Sequence, residues 1–379
     1  MADRETEVLA KIASGISGLN AWAWDKLGKG DPFLSHAFLS ALEDSGSVGP
    51  RTGWTPAPIL VEDEGLHLVA AAPAYLKSHS QGEYVFDHGW AEAWQRAGGQ
   101  YYPKLQIAVP FTPVPGPRLL GSRPQQLLAA IEAVTVQNSI SSGHITFIDD
   151  ADAAECEQRG WLIRHGVQYH WFNRGYSSFE DFLAALTSRK RKTLRKERAA
   201  AREGLAFRAL RGDEIGAAEW DAMWAFYQDT GSRKWGRPYL TREFFDLIGE
   251  RLVDKVLLFL AYRGSQPVAG ALNFIGGDAL YGRYWGTIDE LPFLHFELSY
   301  YQAIEWAIEN GLSSVQAGAQ GEHKIGRGYE PVLTRSAHFI PNHSFREAVA
   351  DFVEEERAAV AVEIEWLRRD LPYRSSSSE

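Results

Sequence analysis

The residues best suited to chemistry lie in one glycine-rich segment, 316–328, in the last quarter of the chain. Glu322, His323, Lys324 and Arg327 fall within six positions of it, and the glycines around them permit a ligand to approach closely. His323 or Glu322 could accept a proton, while Lys324 or Arg327 could stabilise a developing negative charge. A reaction that removes a proton and develops a negative charge needs both functions. A charged surface loop with internal ion pairs is the alternative interpretation.

A run of positive charge stands out in an otherwise acidic protein. The chain has a net charge of −10, yet eight of its 39 basic residues lie between positions 189 and 202. Such crowding is often tolerated where the ligand is a polyanion, so the phosphates of RNA, coenzyme A or a nucleotide sugar would fit. The sequence does not separate these ligands, and a solvated helix face is the alternative. The predicted phosphate-binding residues are Arg189, Arg191, Lys192, Arg195 and Lys196.

These charges are predicted to lie on one helix over residues 179–203. Ser178 is a suitable N-cap, and two acidic residues follow it in the first turn. At helical spacing the apolar residues can face the core while the basic ones point outward. The residues expected to face inward are Leu183, Leu186, Leu194, Ala201 and Leu205.

Two further groups are expected near substrate. Tyr281, Arg283 and Trp285 would lie at the end of a predicted strand and face the same cleft as segment 316–328. Asp87 and His88 are the positional counterparts of Gly282 and Arg283 if residues 82–90 correspond to residues 277–285, which would place them in the acceptor pocket. A structural aromatic cluster and a buried Asp–His pair that serves stability are the alternatives.

The elements that must position these residues follow one order in both halves of the chain. Hydrophobic alternation, apolar runs and turn residues predict two diverged β-β-β-α-β units. In the first half the predicted strands are 57–62, 66–72, 83–86 and 144–148, and the helices are 35–44 and 124–141. In the second half the predicted strands are 256–262, 267–275, 279–285 and 314–317, and the helices are 296–309 and 344–369.

Length and composition limit the class of protein. A chain of 379 residues exceeds one typical core, so two domains are expected, 1–175 and 176–379, the second beginning with the basic helix. The single cysteine, Cys156, excludes a disulfide framework, and the histidines lack metal-ligand spacing, so no metal site is predicted. Neither a secretion signal nor a membrane-spanning run is visible, so a cytoplasmic protein is expected.

Taken together, these motifs resemble the FemAB/FemX-like group of N-acyltransferases, the peptidoglycan biosynthesis/recognition proteins. The resemblance extends over nearly the whole chain. It rests on residues 86–90, 101–104, 110–114, 188–198, 280–286 and 316–328.

The resemblance implies a mixed α/β fold of two tandem GNAT-like domains with the basic helix between them. It also implies transfer of an aminoacyl or acyl group to a small-molecule or nucleotide-linked amine, with aminoacyl-tRNA or an acyl-CoA as donor and no tightly bound cofactor. Residues 118–123 and 291–296 lack the glycine-rich loop that holds coenzyme A pyrophosphate in GNAT enzymes, which favours a donor held by side-chain cations. The alternatives are a coenzyme A-dependent acetyltransferase and a non-catalytic binding protein.

Overall fold

The computed structural model describes residues 9–374 except 236–237, 290 and 319–320, and within them the chain forms two compact units. Unit 1 takes its described residues from 1–166 and 333–361, and unit 2 takes them from 167–332 and 362–374. The predicted division after residue 175 differs from this one, because unit 1 also takes a strand and much of a helix from near the end of the chain. No helix within these described ranges is long and apolar enough to cross a membrane.

The elements are numbered in chain order. As far as residue 185 they are β1 (Leu9–Ile12), α1 (Ala21–Gly28), α2 (His36–Asp44), β2 (Trp54–Pro56), β3 (Ile59–Glu62), β4 (Leu68–Ala72), β5 (Ala74–Lys77), α3 (His88–Arg96), β6 (Lys104–Ile107), β7 (Leu120–Gly121), α4 (Pro124–Gln137), β8 (Gly143–Ile148), α5 (Asp150–Gln158), β9 (Leu162–Phe172) and α6 (Phe179–Ala185). The remainder are α7 (Ser188–Arg202), β10 (Ala206–Arg211), α8 (Ala217–Trp235), α9 (Arg242–Arg251), β11 (Val256–Arg263), β12 (Gln266–Gly276), β13 (Ala279–Thr287), α10 (Leu294–Phe296), α11 (Gln302–Glu309), β14 (Ser314–Gln316), β15 (Glu330–Phe339) and α12 (His343–Arg369).

Unit 1 is built on two groups of strands. One sheet has the order β1-β3-β4-β7, and a second run of strands has the order β15-β8-β6-β5-β2. Apolar residues of β3, β6, β8 and α4 form its core, including Ile59, Leu105, Leu127 and Ile145. The predicted strands 57–62, 66–72 and 144–148 and helices 35–44 and 124–141 are confirmed, with small shifts at their ends.

The strand predicted over 83–86 is wrong. Tyr84 has a φ of 60°, a left-handed conformation that interrupts an extended chain. The carboxylate of Glu83 turns inward and accepts a hydrogen bond of 2.6 Å from Lys104 Nζ. Residues 83–86 therefore belong to the loop before α3, and their correspondence with the strand β13 fails.

Unit 2 contains a sheet with the order β10-β11-β12-β13-β14-β9. All neighbours in it are antiparallel except β13 and β14, which run parallel. The predicted strands 256–262, 267–275, 279–285 and 314–317 are confirmed. The predicted helix 296–309 contains a π-helical turn, Glu297–Tyr301, between α10 and α11. Such turns widen a helix locally and often occur at functional sites.

The predicted basic helix is two helices, α6 and α7, which separate at Leu186. Leu186 is fully buried and has an extended backbone, with a ψ of 157°, where it forms a bridge with Tyr373. The N–H of Thr187 then donates to the carbonyl of Pro372 at 2.8 Å. Pairing with the C-terminal segment therefore outweighs the continuous helical pattern. The four residues Leu183, Leu186, Leu194 and Ala201 are buried, as predicted, and Leu205 packs against the same core.

We expect Gly286→Ala in β13 to destabilise the protein strongly. An added Cβ would lie 2.0 Å from the carbonyl oxygen of Phe226, and backbone cannot move aside as a flexible side chain can. We expect a loss in the free energy of unfolding of about 3 kcal/mol, measured by chemical denaturation. Gly18→Ala is the control, because nothing lies within 4 Å of its Cβ position. Equal stability of the two variants would contradict the prediction.

Candidate active site

The candidate site of unit 2 lies where two parallel strands part. β13 and β14 pair over only three positions, Ala279–Tyr281 with Ser314–Gln316. Beyond Tyr281, β13 continues to Thr287 and, among the described strands, pairs only with β12. The register with β12 also shifts between Gly282 and Tyr284, which leaves Arg283 as an extra residue in a bulge. A parted strand edge and a bulge provide unpaired backbone for a ligand.

The segment after β14 folds back as a short 3-10 helix, Glu322–Arg327, which ends at Gly328 with a φ of 91°. Arg327 fixes this helix in place. Its Nη1 donates to the carbonyl of His323 at 2.8 Å, and its Nη2 donates to both oxygens of Glu197 on α7 at 2.9 and 3.0 Å. The guanidinium also lies 3.4 Å from the ring centroid of Phe296. These contacts give Arg327 a structural task, so Lys324 is the better placed of the two predicted anion-stabilising residues.

Lys324 is a cation held inside the protein. Its side chain is 1% exposed, and its Nζ donates to the carbonyl of Gly318 at 2.8 Å. Burial, and then the nearby positive charge of Arg283, lower the pKa of Lys324 from about 10.5 to about 7. No carboxylate in the described part of the chain forms an ion pair with it. An anionic group of a substrate would therefore find an ammonium that lacks a counter-charge.

His323 lies next to Lys324 and is exposed. Its Nε2 is 2.9 Å from the hydroxyl of Tyr300, which belongs to the π-helical turn. Burial raises the pKa of Tyr300 well above 10, so this phenol stays protonated. The rings of His295 and Phe296 lie 6.2 and 5.5 Å from the imidazole. An oriented imidazole at the edge of an aromatic cluster can serve as a general base.

The other predicted residues of unit 2 divide between this site and the surface. Glu322 is exposed and makes no hydrogen bond or ion pair with another described residue, so nothing orients it as a base. Tyr281, Arg283 and Trp285 are half-buried on β13, as expected for a strand at the site. The Trp285 ring lies 4.9 Å from that of His295, which joins it to the aromatic cluster.

The basic residues of α7 have different tasks. Arg198, which is nearly buried, and Arg202, which is 44% exposed, each bind the fully buried carboxylate of Glu297, at 3.2 and 2.9 Å. Arg195 forms an ion pair with Glu180. The cations that form no ion pair within the described ranges are Arg189, Lys190, Arg191, Lys192 and Lys196. These five, hereafter the free cations of α7, are the part of the basic run available to a ligand.

In unit 1 the structure separates Asp87 from His88. Asp87 is buried; it forms an ion pair with Lys104 and accepts a hydrogen bond of 2.6 Å from the Tyr101 hydroxyl. Burial alone would raise the pKa of Asp87, but the Lys104 ammonium holds it well below its ordinary value. His88 is exposed and stacks on Phe86 with 6.3 Å between ring centroids. Asp87 therefore has a structural environment, and only His88 can meet a ligand directly.

Asp87 belongs to a buried polar network that sequence reasoning missed. Lys77 and Lys104 lie directly opposite each other on β5 and β6, and both contact Glu83. From Tyr101 the contacts continue through His144, whose Nδ1 lies 2.7 Å from Nδ1 of His338. These residues are far apart in sequence: strand pairing brings the two lysines and the two histidines together, and the loops on either side of α3 add the other members. No described group of His, Cys, Asp or Glu has the arrangement of a metal site.

The sequence profile of the FemAB-like family, described as peptidoglycan biosynthesis/recognition, matches residues 15–375. The chain belongs to this family, which confirms the predicted resemblance. Solved structures similar to it include FemX, with 12% identity, a TM-score of 0.53 and coverage of 91% of this chain and 100% of that one. L-PGS from Bacillus licheniformis has 11% identity, a TM-score of 0.50 and coverage of 88% and 96%.

The C-terminal domain of a candidate lysylphosphatidylglycerol synthetase from Agrobacterium fabrum is also similar, with 12% identity and a TM-score of 0.52. The match covers 87% of this chain and 95% of the Agrobacterium chain. At such identities the likeness concerns the fold, and it agrees with the predicted mixed α/β fold of two tandem GNAT-like domains. No curated protein sequence matches this chain.

We expect Lys324→Met to stabilise the protein at acidic pH. The folded state binds the Lys324 proton less tightly than the unfolded state, because its pKa falls from about 10.5 to about 7. The buried charge therefore lowers the stability of the fold by its full amount below pH 7, and this loss disappears as the pH rises toward 10.5. The free energy of unfolding of the variant should exceed that of the natural protein by on the order of 3 kcal/mol at pH 6, and by less at pH 9. Denaturant unfolding at both pH values measures this, and an equal gain at both would contradict it.

We expect Lys104→Met to have the opposite effect on stability. It leaves the buried carboxylates of Glu83 and Asp87 without the ammonium that binds both. Loss of one partner from a buried ion pair costs about 3–5 kcal/mol, measured as the free energy of unfolding at pH 7.5. Lys29→Met, at an exposed lysine, is the control. A Lys104→Met protein as stable as this control would show that the buried network is dispensable.

Proposed function

We propose that this protein is an acyltransferase that moves an aminoacyl group from aminoacyl-tRNA to an amine acceptor. The observation that carries the proposal is the pair formed by His323 and Lys324. One is an oriented imidazole and the other a buried ammonium, and both lie in the segment that follows the parted strands β13 and β14. The family and the fold of the chain support acyl transfer in general.

The proposed reaction needs a base for the acceptor amine. In the tautomer whose Nε2–H donates to the Tyr300 oxygen, the other ring nitrogen of His323 carries a lone pair. It takes the proton as the amine nitrogen bonds to the carbonyl carbon of the donor ester. When the C–O bond of the ester then breaks, the same proton passes to the departing ribose oxygen. His323 thus acts first as base and then as acid.

Lys324 has the second role, which is to stabilise the oxyanion of the tetrahedral intermediate. One of its three N–H groups is used by Gly318, and burial strengthens its attraction for a negative charge. Because its pKa is about 7, the ammonium form decreases in mildly alkaline solution. The proposal therefore predicts that activity declines at alkaline pH because Lys324 loses its proton.

The donor is proposed to bind through the free cations of α7. Lys192 comes three positions after Arg189, and Lys196 comes four positions after Lys192. The three cations therefore lie along the exposed helix over about 10 Å. A row of that length can meet successive phosphates of a polynucleotide. Residues 291–296, which precede and begin α10, contain no glycine to cradle the pyrophosphate of coenzyme A. This contrast favours RNA over coenzyme A.

Two single variants test the base. We expect His323→Ala to lower turnover about 100-fold or more while the protein stays folded, because the proton acceptor is lost. Glu322→Ala, one residue away and exposed, should change turnover less than about threefold. Single-turnover transfer from labelled aminoacyl-tRNA to a panel of amines is the measurement. If Glu322→Ala were the more damaging change, the base would have to be reassigned.

A salt series tests the donor. Each phosphate that a protein neutralises adds about 0.7–0.9 to the slope of log affinity against log salt concentration. The triple variant Arg189→Gln/Lys192→Gln/Lys196→Gln should therefore weaken binding of aminoacyl-tRNA and lower this slope by about 2. A variant with equal loss of charge elsewhere, Lys26→Gln/Lys29→Gln/Arg51→Gln, is the control. Equal slopes for the two variants, or no binding at low salt, would rule out RNA at α7.

A further inference from the structure

A groove of about 540 Å³ in unit 2 lies on the side of α7 that carries Arg195, Arg198 and Arg202. The start of α6 forms a second wall, with Phe179 and Glu180, and α11 contributes Glu305 and Glu309. The free cations of α7 are not among its lining residues. This volume suits a small molecule, and the chemistry of the proposed acyl transfer makes no use of it.

The groove contains fixed and exchangeable charges. Arg198 is fixed: its side chain is 12% exposed, it binds Glu297 and Glu305, and its guanidinium lies 4.2 Å from the Phe179 ring centroid. Arg195 and Glu180 also form an ion pair, but both side chains are more than half exposed. An exposed pair contributes about 0–1 kcal/mol. A ligand carboxylate can therefore replace Glu180 at Arg195 at little cost.

Glu309 provides the complementary charge. It is exposed at the end of α11, and it forms neither an ion pair nor a hydrogen bond with another residue of the described ranges. A ligand ammonium can bind this carboxylate without displacing a partner. Phe179 and Leu183 also line the groove, but they are only 7% and 1% exposed, so a ligand meets mainly the exposed side chains around them.

We infer that this groove binds a zwitterionic α-amino acid. The carboxylate pairs with Arg195, and the ammonium pairs with Glu309. The inference concerns a site separate from the proposed acyl-transfer centre, and it can be tested by binding alone. A failure of the transfer reaction would leave it untouched.

The test is isothermal titration of the full chain with L-leucine. Two molecules of similar shape serve as comparisons: isoamylamine lacks the carboxylate, and 4-methylpentanoate lacks the ammonium. L-leucine should bind saturably and at least about tenfold more tightly than either, because only it can use both charges. Equal affinity for all three molecules, or no saturable binding of L-leucine, would overturn the inference.

Variants locate the site. Arg195→Gln and Glu309→Gln change exposed side chains, so the protein should stay folded. Each should weaken L-leucine binding at least about tenfold. Arg208→Gln is the matched control, because it also removes one exposed charge of unit 2 but lies outside the groove. Unchanged binding in both groove variants would contradict the assignment.

Discussion

The candidate site of unit 2 depends on one carboxylate, Glu197, in the middle of the basic helix. Both of its oxygens accept hydrogen bonds from Arg327, and one also accepts from the hydroxyl of Tyr301. A single side chain therefore joins α7 to the 3-10 helix that carries His323 and Lys324, and to the π-helical turn that carries Tyr300. The ion pair of Arg327 and Glu197 is charge-assisted, with one guanidinium nitrogen donating to both carboxylate oxygens, and it is nearly shielded from water.

A second carboxylate extends the same arrangement. Glu297, at the start of the π-helical turn, binds Arg198 and Arg202 from α7 and also accepts from Gln302. Glu297 thus neutralises two cations of the helix, and Glu197 and Glu297 together hold the turn against it. The free cations of α7 have no such partner among the described residues. One basic run therefore contains a structural part and a part available for binding, distinguished by whether a glutamate faces each cation.

Much of this arrangement follows from local patterns that the sequence displays. Apolar runs and turn residues predicted the strands of unit 2 closely, and helical spacing predicted the buried face of α6 and α7. The loop at Glu83 and the break at Leu186 escaped prediction because partners distant in sequence, Lys104 and Tyr373, decide the local conformation. Residue type alone singled out segment 316–328 as a candidate, but the choice between Lys324 and Arg327 needed their partners. Glu197 and the His144–His338 pair carried no local signal at all.

The bond between Thr187 and Pro372 has a consequence for the order in which the protein acquires its structure. During synthesis the residues of α7 leave the ribosome nearly half a chain before Pro372 does, and the N-terminal parts of a protein generally fold first. The backbone contact at the start of α7 cannot form until the last part of the described chain has emerged. A nascent chain released too early would therefore carry the positive charges without the anchor that sets where their helix begins.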